Sequence, residues 1–131
     1  MYSMFIASPK GTSIQESQYI AKQIQESKGE PIKAFHAQEE FQKHFASCGG
    51  WQGWSDFVAT SSDFVTRQPR YTEIICTTKE VGRATADIVR KALSYNKPVY
   101  LWKMQRLHRV DAVETTDSEN WQRGWTLITS E

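Results

Sequence analysis

Two short stretches combine glycine with hydroxyl-bearing and basic side chains, a composition typical of loops that bind an anionic group. The first is "ASPKGTS", residues 7–13, and the second is "TTKEVGRATAD", residues 77–87. Glycine allows the backbone to approach a ligand closely. Amides, hydroxyls and basic side chains at a helix N-terminus can hold a phosphate or a ribose hydroxyl. The candidate ligand-binding residues in these two loops are Ser8, Lys10, Gly11, Thr12, Ser13, Gly82, Arg83 and Thr85.

Neither stretch is a Walker A sequence or a G-x-G-x-x-G motif, so the composition alone does not assign a ligand. A short connection needs a glycine and a capping residue wherever it lies, and ordinary turns remain the alternative interpretation. In open parallel sheets, however, ligands bind on the loops that follow the carboxyl ends of the strands. We therefore expect the loops at residues 8–13 and 79–87 to line one crevice if their strands are neighbours.

The elements that position these loops follow from the apolar pattern. Ser13 followed by Glu16 predicts a capped helix that ends near Lys28. Residues 55–65 could form a short helix. Short apolar runs predict strands, and amphipathic segments predict further helices. The predicted strands are 4–7, 32–35, 74–76 and 98–102, and the further helices are 38–45 and 83–95.

Beyond Lys103 the pattern changes to two alternating segments separated by the polar stretch "TTDSEN". These segments predict a β-hairpin at the sheet edge or packed beside the sheet. Three strand–helix repeats before the hairpin indicate a mainly parallel, three-layer α/β architecture. We expect one domain over residues 1–131, with a core at 1–102 and a hairpin extension at 103–131.

Composition narrows the class of protein. The chain has 131 residues, with 16 lysines plus arginines against 15 aspartates plus glutamates, a formal net charge of +1. This balance makes nucleic acid an unlikely partner and argues against a membrane surface. Two cysteines in unrelated contexts, no apolar run near 20 residues and no signal peptide predict a cytoplasmic protein. Histidines lack ligand spacing, so we expect no metal, and no cofactor is implied.

Two longer segments resemble known families. The segment "MFIASPKGTS" resembles the opening strand and loop of nucleoside 2-deoxyribosyltransferase-like proteins. The segment "GRATADIVRKALSYNKPVYLW" resembles the glycine-bearing loop, helix and strand of the same group, and also the lysine decarboxylase-like phosphoribohydrolases. The resemblance spans residues 4–102. It implies a Rossmann-like or flavodoxin-like domain that handles a nucleoside, a nucleotide or an ADP-ribose-type ligand.

The resemblance also implies chemistry at an N-glycosidic bond. Those enzymes use a glutamate in the first turn of the helix after the glycine loop, but no glutamate lies between Val81 and Tyr95 here. Asp87 is the only carboxylate placed to substitute, and its shorter side chain withdraws the reacting oxygen by about 1 Å, a displacement that can cost ~100-fold in rate. The alternative for Asp87 is a first-turn acid that the helix dipole favours.

Other residues carry weaker hypotheses. Trp51 and Trp54 in "GGWQGW" could stack on a ligand ring or form a subunit contact. In the resembled families an acid in this region can contact the sugar, which makes Asp63 a candidate ligand-binding residue. We expect His36 to be a partly exposed histidine at a strand end. We also expect Glu40 to lie on a solvated helix face, as Glu39 does. Cys76 is expected to be a core thiol, and Trp121 and Trp125 packing or interface residues.

These observations favour a protein that binds a nucleotide- or nucleoside-derived small molecule and sequesters or senses it. The alternatives are an N-glycosidic hydrolase or transferase and, in a different class, a protein-interaction module that uses exposed tryptophans. Late apolar residues also predict a homo-oligomer, with a dimer as the default by symmetry.

Overall fold

The fold is taken from a computed structural model, which describes residues 3–9, 11–48, 62–115 and 124–130. In these residues the helices are α1 (Ile14–Lys28), α2 (Ala37–Cys48), α3 (residues 62–67) and α4 (Arg83–Ser94). The strands are β1 (Ser3–Ala7), β2 (Lys33–His36), β3 (Glu73–Cys76), β4 (Glu80–Val81), β5 (Val99–Lys103), β6 (Arg106–Thr115) and β7 (Trp125–Thr129). No helix in this part of the chain is long and apolar enough to cross a membrane.

The described strands form one mixed sheet in the order β2-β1-β3-β5-β6-β7-β4. The first four strands in this order are parallel to one another, and each of the remaining pairings is antiparallel. Every residue of β1 is buried, because β1 lies between two strands and beneath helices on both faces. The predicted α/β class, with a parallel core and antiparallel C-terminal strands, is therefore confirmed.

Alternation along the parallel strands divides the core between the two faces of the sheet. On one face, Met4 and Ile6 pack with Ala21 and Ile24 of α1. On the other face, residues of α2, α3 and α4 pack against Phe5, Ile74 and other inward-facing strand residues. The parallel strands therefore carry helices on both faces, as the strand–helix alternation predicted.

The antiparallel strands must curl back toward the carboxyl end of β3. Only residues 77–79 separate Cys76 from Glu80, so at most about 14 Å separates these two Cα atoms. Across a flat sheet, four strand spacings from β3 to β4 would span about 19 Å. The bend coincides with an irregularity between Val110 and Ala112, where β6 exchanges its pairing with β5 for pairing with β7.

The ends of α1 show why this helix has these limits. The Ser13 hydroxyl accepts a hydrogen bond from the Glu16 amide at 3.1 Å, which satisfies one of the unpaired donors of the first turn. Gly29 follows the last turn with φ of 70°, and its amide donates to Gln25 O. The capping and the end point predicted from the sequence are both confirmed.

Glu40 differs from the sequence-based expectation of a solvated residue. It is 4% exposed, and its carboxylate accepts hydrogen bonds from the Tyr71 hydroxyl and, at 3.0 Å, from Arg70 Nη2. A buried carboxylate needs such donors because it has lost its hydration. The prediction for Glu40 was wrong because a helical pattern cannot show a tyrosine and an arginine that arrive from a distant loop.

A two-residue turn joins β5 to β6, and both of its residues have a left-handed backbone. Met104 has φ of 54° and Gln105 has φ of 63°. Positive φ at both central positions is the arrangement of a type I′ hairpin turn, which favours asparagine and glycine. The turn therefore contains avoidable backbone strain.

We predict that Gln105→Gly raises the free energy of unfolding by about 1 kcal/mol, because glycine adopts positive φ without the steric penalty. Chemical denaturation measures the change. Gln42→Gly on the exposed face of α2 is the control, and it should lower stability by about 1 kcal/mol. If Gln105→Gly lowers the free energy of unfolding, the turn does not contain this backbone strain.

Candidate functional site

The two glycine-bearing loops begin side by side at the carboxyl edge of the sheet. β1 and β3 are parallel neighbours, and the Thr77 amide, directly after β3, donates a hydrogen bond of 3.4 Å to Ala7 O. The chain leaves β1 toward β2 on one side and leaves β3 toward β5 on the other. A crevice forms at such a point in an open α/β sheet, because neighbouring loops diverge there.

The described residues of the first loop, 8–9 and 11–13, form a turn that leads into α1. Gly11 has φ of 94°, a conformation that a residue with a side chain rarely adopts. The Thr12 amide donates to Pro9 O at 3.1 Å, which closes the turn, and Ser13 is engaged in capping α1. The loop is therefore held by its own hydrogen bonds.

Gln38, at the start of α2, joins this loop to the neighbouring strand. Its Nε2 donates a hydrogen bond of 2.9 Å to Thr12 O. Ser8 and Gln38 each stand two residues beyond the paired residues Ile6 and His36 of adjacent strands. Ser8 Oγ and Gln38 Oε1 are both buried without a hydrogen-bond partner among the described residues. Buried polar atoms without a hydrogen-bond partner are uncommon, and binding of a water, an ion or a ligand is one explanation for them.

His36 and Ser17 form a second link across the same edge. The Ser17 hydroxyl lies 2.5 Å from His36 Nδ1, and the two residues are 0% and 7% exposed. Burial lowers the pKa of His36, against the opposing effect of Glu39 and Glu40. The expectation of a partly exposed histidine was wrong, because α1 covers the carboxyl end of β2 and supplies a serine to the ring.

The second loop leads to the N-terminus of α4. Val81 pairs with Trp125, and Leu127 N donates to Lys79 O at 2.9 Å, so β7 fixes the chain immediately before the helix. Gly82 is the N-cap residue, and no side chain caps the helix there. Arg83 and Thr85, both partly exposed, lie in the first turn, where the helix dipole favours an anion.

Asp87 is not in the first turn of α4, which begins at Arg83, so the interpretation of Asp87 as a first-turn acid was wrong. Its two carboxylate oxygens lie 3.7 Å from Arg83 Nε and 3.5 Å from Arg90 Nη1. Side-chain ion pairs at these helical spacings are common on exposed surfaces. The aspartate also lines a shallow cavity of about 410 Å³ with Ser62, Arg90, Lys91 and Ser94.

Asp63, in α3, lies beside the same flank of α4. Its carboxylate accepts a hydrogen bond from Lys91 Nζ, and this bond lowers the pKa of Asp63. Lys91 is in the last turn of α4, so Asp63 pairs with the C-terminal part of the helix rather than with the loop that precedes it. The two acids predicted as site residues are thus both ion-paired along α4.

Several predicted residues cannot be placed. Lys10, Trp51 and Trp54 lie outside the described residues, as does Trp121. Trp125 is 5% exposed and belongs to the core that contains α4, which confirms packing as its role. Cys76 is fully buried, and burial raises the pKa of its thiol to about 12, as expected of a core cysteine. Within the described ranges, no group of three or more His, Cys, Asp or Glu side chains could hold a metal ion.

Sequence reasoning did not identify Ser17 or Gln38 as residues of this edge. Ser17 is a buried polar residue at a position of α1 that faces the sheet, and Gln38 follows directly after a strand. A serine on the apolar face of a helix was the available signal, because such a residue must find a buried partner. The signal for Gln38 was its position at the carboxyl end of a strand next to β1.

The Ser8 hydroxyl, which has no partner among the described residues, can be compared with the Ser17 hydroxyl, which is paired with His36. We predict that Ser8→Ala leaves the free energy of unfolding unchanged or raises it by up to about 1 kcal/mol, because it removes a desolvated group with no partner in the residues that the structure describes. Ser17→Ala should lower it by about 1–3 kcal/mol, because it removes a buried partner of His36. Urea denaturation of both variants measures the difference, and equal destabilisation would contradict it.

Comparison of the chain with protein-family models, with curated proteins and with solved structures found no match. The resemblance to deoxyribosyltransferase-like proteins therefore stays a prediction from two sequence segments. The function has to be argued from the residues at the carboxyl edge and from their hydrogen bonds.

Proposed function

We propose that this protein binds a nucleotide- or nucleoside-derived small molecule at the carboxyl edge of its parallel strands, and sequesters or senses that molecule. The binding surface extends from the loop at residues 8–13 and Gln38 to the first turn of α4. The proposal includes a Rossmann-like or flavodoxin-like relationship for the parallel core.

The strand order supports this relationship. The order of the four parallel strands, β2-β1-β3-β5, corresponds to the order 2-1-3-4 of the parallel strands in flavodoxin-like sheets. In such sheets the ligand lies beyond the first and third strands, where the order reverses. The hydrogen bond between Thr77 N and Ala7 O supports the proposal, because it joins the two chain segments where they leave β1 and β3.

The observation that carries the proposal is the pair of buried polar atoms, Ser8 Oγ and Gln38 Oε1, that have no hydrogen-bond partner within the described part of the chain. The Gln38 amide is oriented by its bond to Thr12 O, since only the nitrogen can donate to a carbonyl. Its oxygen is therefore left as an acceptor. A ligand that offers N–H or O–H groups, as a nucleobase or a ribose does, would satisfy this acceptor and would recover the cost of its desolvation.

The first turn of α4 supports the phosphate-bearing part of the ligand class. Gly82 offers no side chain to the first-turn amides, so these amides can donate to an anion. Arg83 adds a partly exposed guanidinium in the same turn. Charge-assisted contacts of this kind contribute about 1.5–3 kcal/mol each.

Small molecules released from the natively purified protein should first be identified by mass spectrometry, and a bound nucleotide or nucleoside is expected. Calorimetry then compares adenosine with AMP. Arg83→Ala should weaken the affinity for AMP by about 10-fold and leave the affinity for adenosine unchanged, because only AMP carries a phosphate. Gln38→Met should weaken the affinity for both ligands by a similar factor of about 3–10.

Gln42→Met is the matched control, because it makes the same substitution in the same helix at an exposed position. It should leave both affinities unchanged. Failure of wild type to bind any nucleoside, nucleotide or ADP-ribose-type probe would refute the proposed ligand class. If Arg83→Ala leaves the affinity for AMP unchanged, the phosphate does not bind at the first turn of α4.

The enzymatic alternative depends on Asp87. If this residue is the reacting carboxylate, Asp87→Asn should abolish release of free base while most ligand affinity remains, because only the transition-state interaction is lost. If it is an ion-paired surface residue, the substitution should cost no more than about 1 kcal/mol of stability. The distances of 3.7 and 3.5 Å to two arginines favour the second outcome.

We predict that Asp87→Asn and wild type release the same amount of base from nucleosides, nucleoside monophosphates and NAD-type substrates, namely none above background. Chromatography of the free base measures release. Turnover by wild type that disappears in Asp87→Asn would establish the enzyme instead of the binder.

A further inference from the structure

The side-chain amide of Gln38 is held in a single orientation. Its Nε2 donates a hydrogen bond of 2.9 Å to Thr12 O. If the amide turned over, Oε1 would replace Nε2 next to the Thr12 carbonyl oxygen, and two acceptors cannot share a hydrogen bond. The amide nitrogen therefore stays with Thr12, and Oε1 keeps its buried position, where it has no partner within the described part of the chain.

A fixed acceptor makes this position selective for the chemistry of a ligand. A glutamine that is free to turn can meet either a donor or an acceptor, because its amide contains both. Gln38 can meet only a donor, since an acceptor placed against Oε1 would leave two desolvated atoms without a hydrogen bond. The Ser8 hydroxyl can donate or accept, so it does not impose the same restriction. Discrimination between donors and acceptors therefore depends on Gln38.

The two helix N-termini that follow the glycine-bearing loops differ in what they leave for an anion. At α1 the Ser13 hydroxyl accepts a hydrogen bond from the Glu16 amide at 3.1 Å. At α4 the N-cap residue is Gly82, and no side chain caps the helix. The first-turn amides of α4 are therefore the better donors for a phosphate. Gln38 Oε1, an acceptor, would repel a phosphate, so the two ends of the proposed binding surface differ in polarity.

The strand order separates these two ends. Gln38 stands shortly after β2, the segment that leads to α4 follows β3, and β1 lies between the two strands. Two strand spacings, about 10 Å, separate β2 from β3. In a nucleotide the ribose adjoins the phosphate, and the base is the distant part. A nucleotide with its phosphate at the first turn of α4 would therefore bring its base, rather than its ribose, to Gln38.

We propose that Gln38 is a specificity-determining residue that accepts a hydrogen bond from the exocyclic amino group of a nucleobase. This inference rests on the proposed function and deepens it, because it names the part of the ligand that lies on the β2 side. Adenine and cytosine present such an amino group, whereas hypoxanthine and uracil present an oxo group at the same ring position. The site therefore selects amino-bearing bases over their oxo counterparts.

The first test compares three nucleosides by calorimetry with the wild-type protein. Adenosine has the amino group, inosine has the oxo group, and purine riboside has only hydrogen at that position. Adenosine should bind at least about 10-fold more tightly than either of the others, because each of them leaves Gln38 Oε1 without the amino donor. Equal affinities for adenosine and inosine would overturn the proposal. This comparison needs no variant and so does not depend on whether a substituted protein folds.

The second test separates the Gln38 oxygen from the bond that its nitrogen makes to Thr12. Gln38→Met should weaken the affinity for adenosine by about 3–10-fold and leave the affinity for inosine unchanged or higher, so that the ratio of the two approaches one. Gln42→Met, at an exposed position of the same helix, should keep the wild-type ratio. If Gln38→Met weakened the affinity for both nucleosides by the same factor, Gln38 would only hold the loop, and the proposal would be overturned.

The third test examines the orientation of the ligand with AMP and IMP, which add a phosphate to adenosine and inosine. Arg83→Ala should weaken the affinity for both nucleotides by the same factor, about 10-fold, and leave their ratio at the wild-type value. The ratio should not change because the base and the phosphate are bound at opposite ends of the surface. A ratio that fell toward one in Arg83→Ala would overturn the orientation on which the proposal depends.

Failure of the proposed function gives a different result from failure of this inference. If wild type binds no nucleoside or nucleotide, the proposed function is wrong and the inference fails with it. If wild type binds adenosine and inosine equally but binds deoxyadenosine more weakly, a ribose hydroxyl meets Gln38, and only this inference fails. If all three bind equally, a buried water satisfies Oε1, and again only this inference fails.

Discussion

The pairing of β1 on both of its sides is the constraint from which the rest of the arrangement follows. With β2 on one side and β3 on the other, both parallel, β1 has no free edge and every one of its residues is buried. The chain after each of these strands must then emerge at the same edge of the sheet. The loop at residues 8–13, the start of α2 and the segment after β3 all begin at this edge, because the strands that precede them run in the same direction.

Buried polar groups at the amino ends and at the carboxyl ends of the parallel strands differ in whether they have hydrogen-bond partners. At the amino end of β3, Glu73 is 4% exposed at its side chain and pairs with Lys28 at 2.8 Å. Nearby, the Thr72 hydroxyl accepts from Ser3 N at 3.0 Å, and the Ser3 hydroxyl donates to Arg70 O. At the carboxyl edge, Ser8 Oγ and Gln38 Oε1 have no partner among the described residues. Buried polar groups that maintain a fold are usually hydrogen-bonded within the protein, so the two atoms at the carboxyl edge are the exceptions that need an explanation.

Much of the parallel core could be predicted from the sequence, because its signals are local. The apolar run at residues 4–7, the Ser13 cap, the Gly29 end of α1 and the amphipathic α4 each depend on residues within one or two turns. β4 could not be predicted. It contains two residues, and it exists only because β7, more than 40 residues later, supplies its partner.

The residues of the candidate site also divide into those that the sequence predicted and those that it did not. The glycine-bearing loops were visible because glycine and hydroxyl residues mark turns. The burial of His36 and Glu40 was not visible, because each depends on a partner from another element, Ser17 for the first and Tyr71 with Arg70 for the second. Long-range hydrogen bonds leave no periodic pattern in a sequence, so these residues are identified only when the elements are assembled.

The pairing of Val81 with Trp125 has a consequence for the order in which the protein becomes complete during synthesis. All four parallel strands lie within residues 3–103, so they are synthesised before β6 and β7. The segment before α4 cannot reach its final position until β7 has been made, because its hydrogen bonds go to that strand. In a nascent chain, the residues of the Ser8–Gln38 side are therefore present before the strand that pairs with the segment preceding α4. The two halves of the carboxyl edge are built at different times, and the later half is set by the strand translated last among those described.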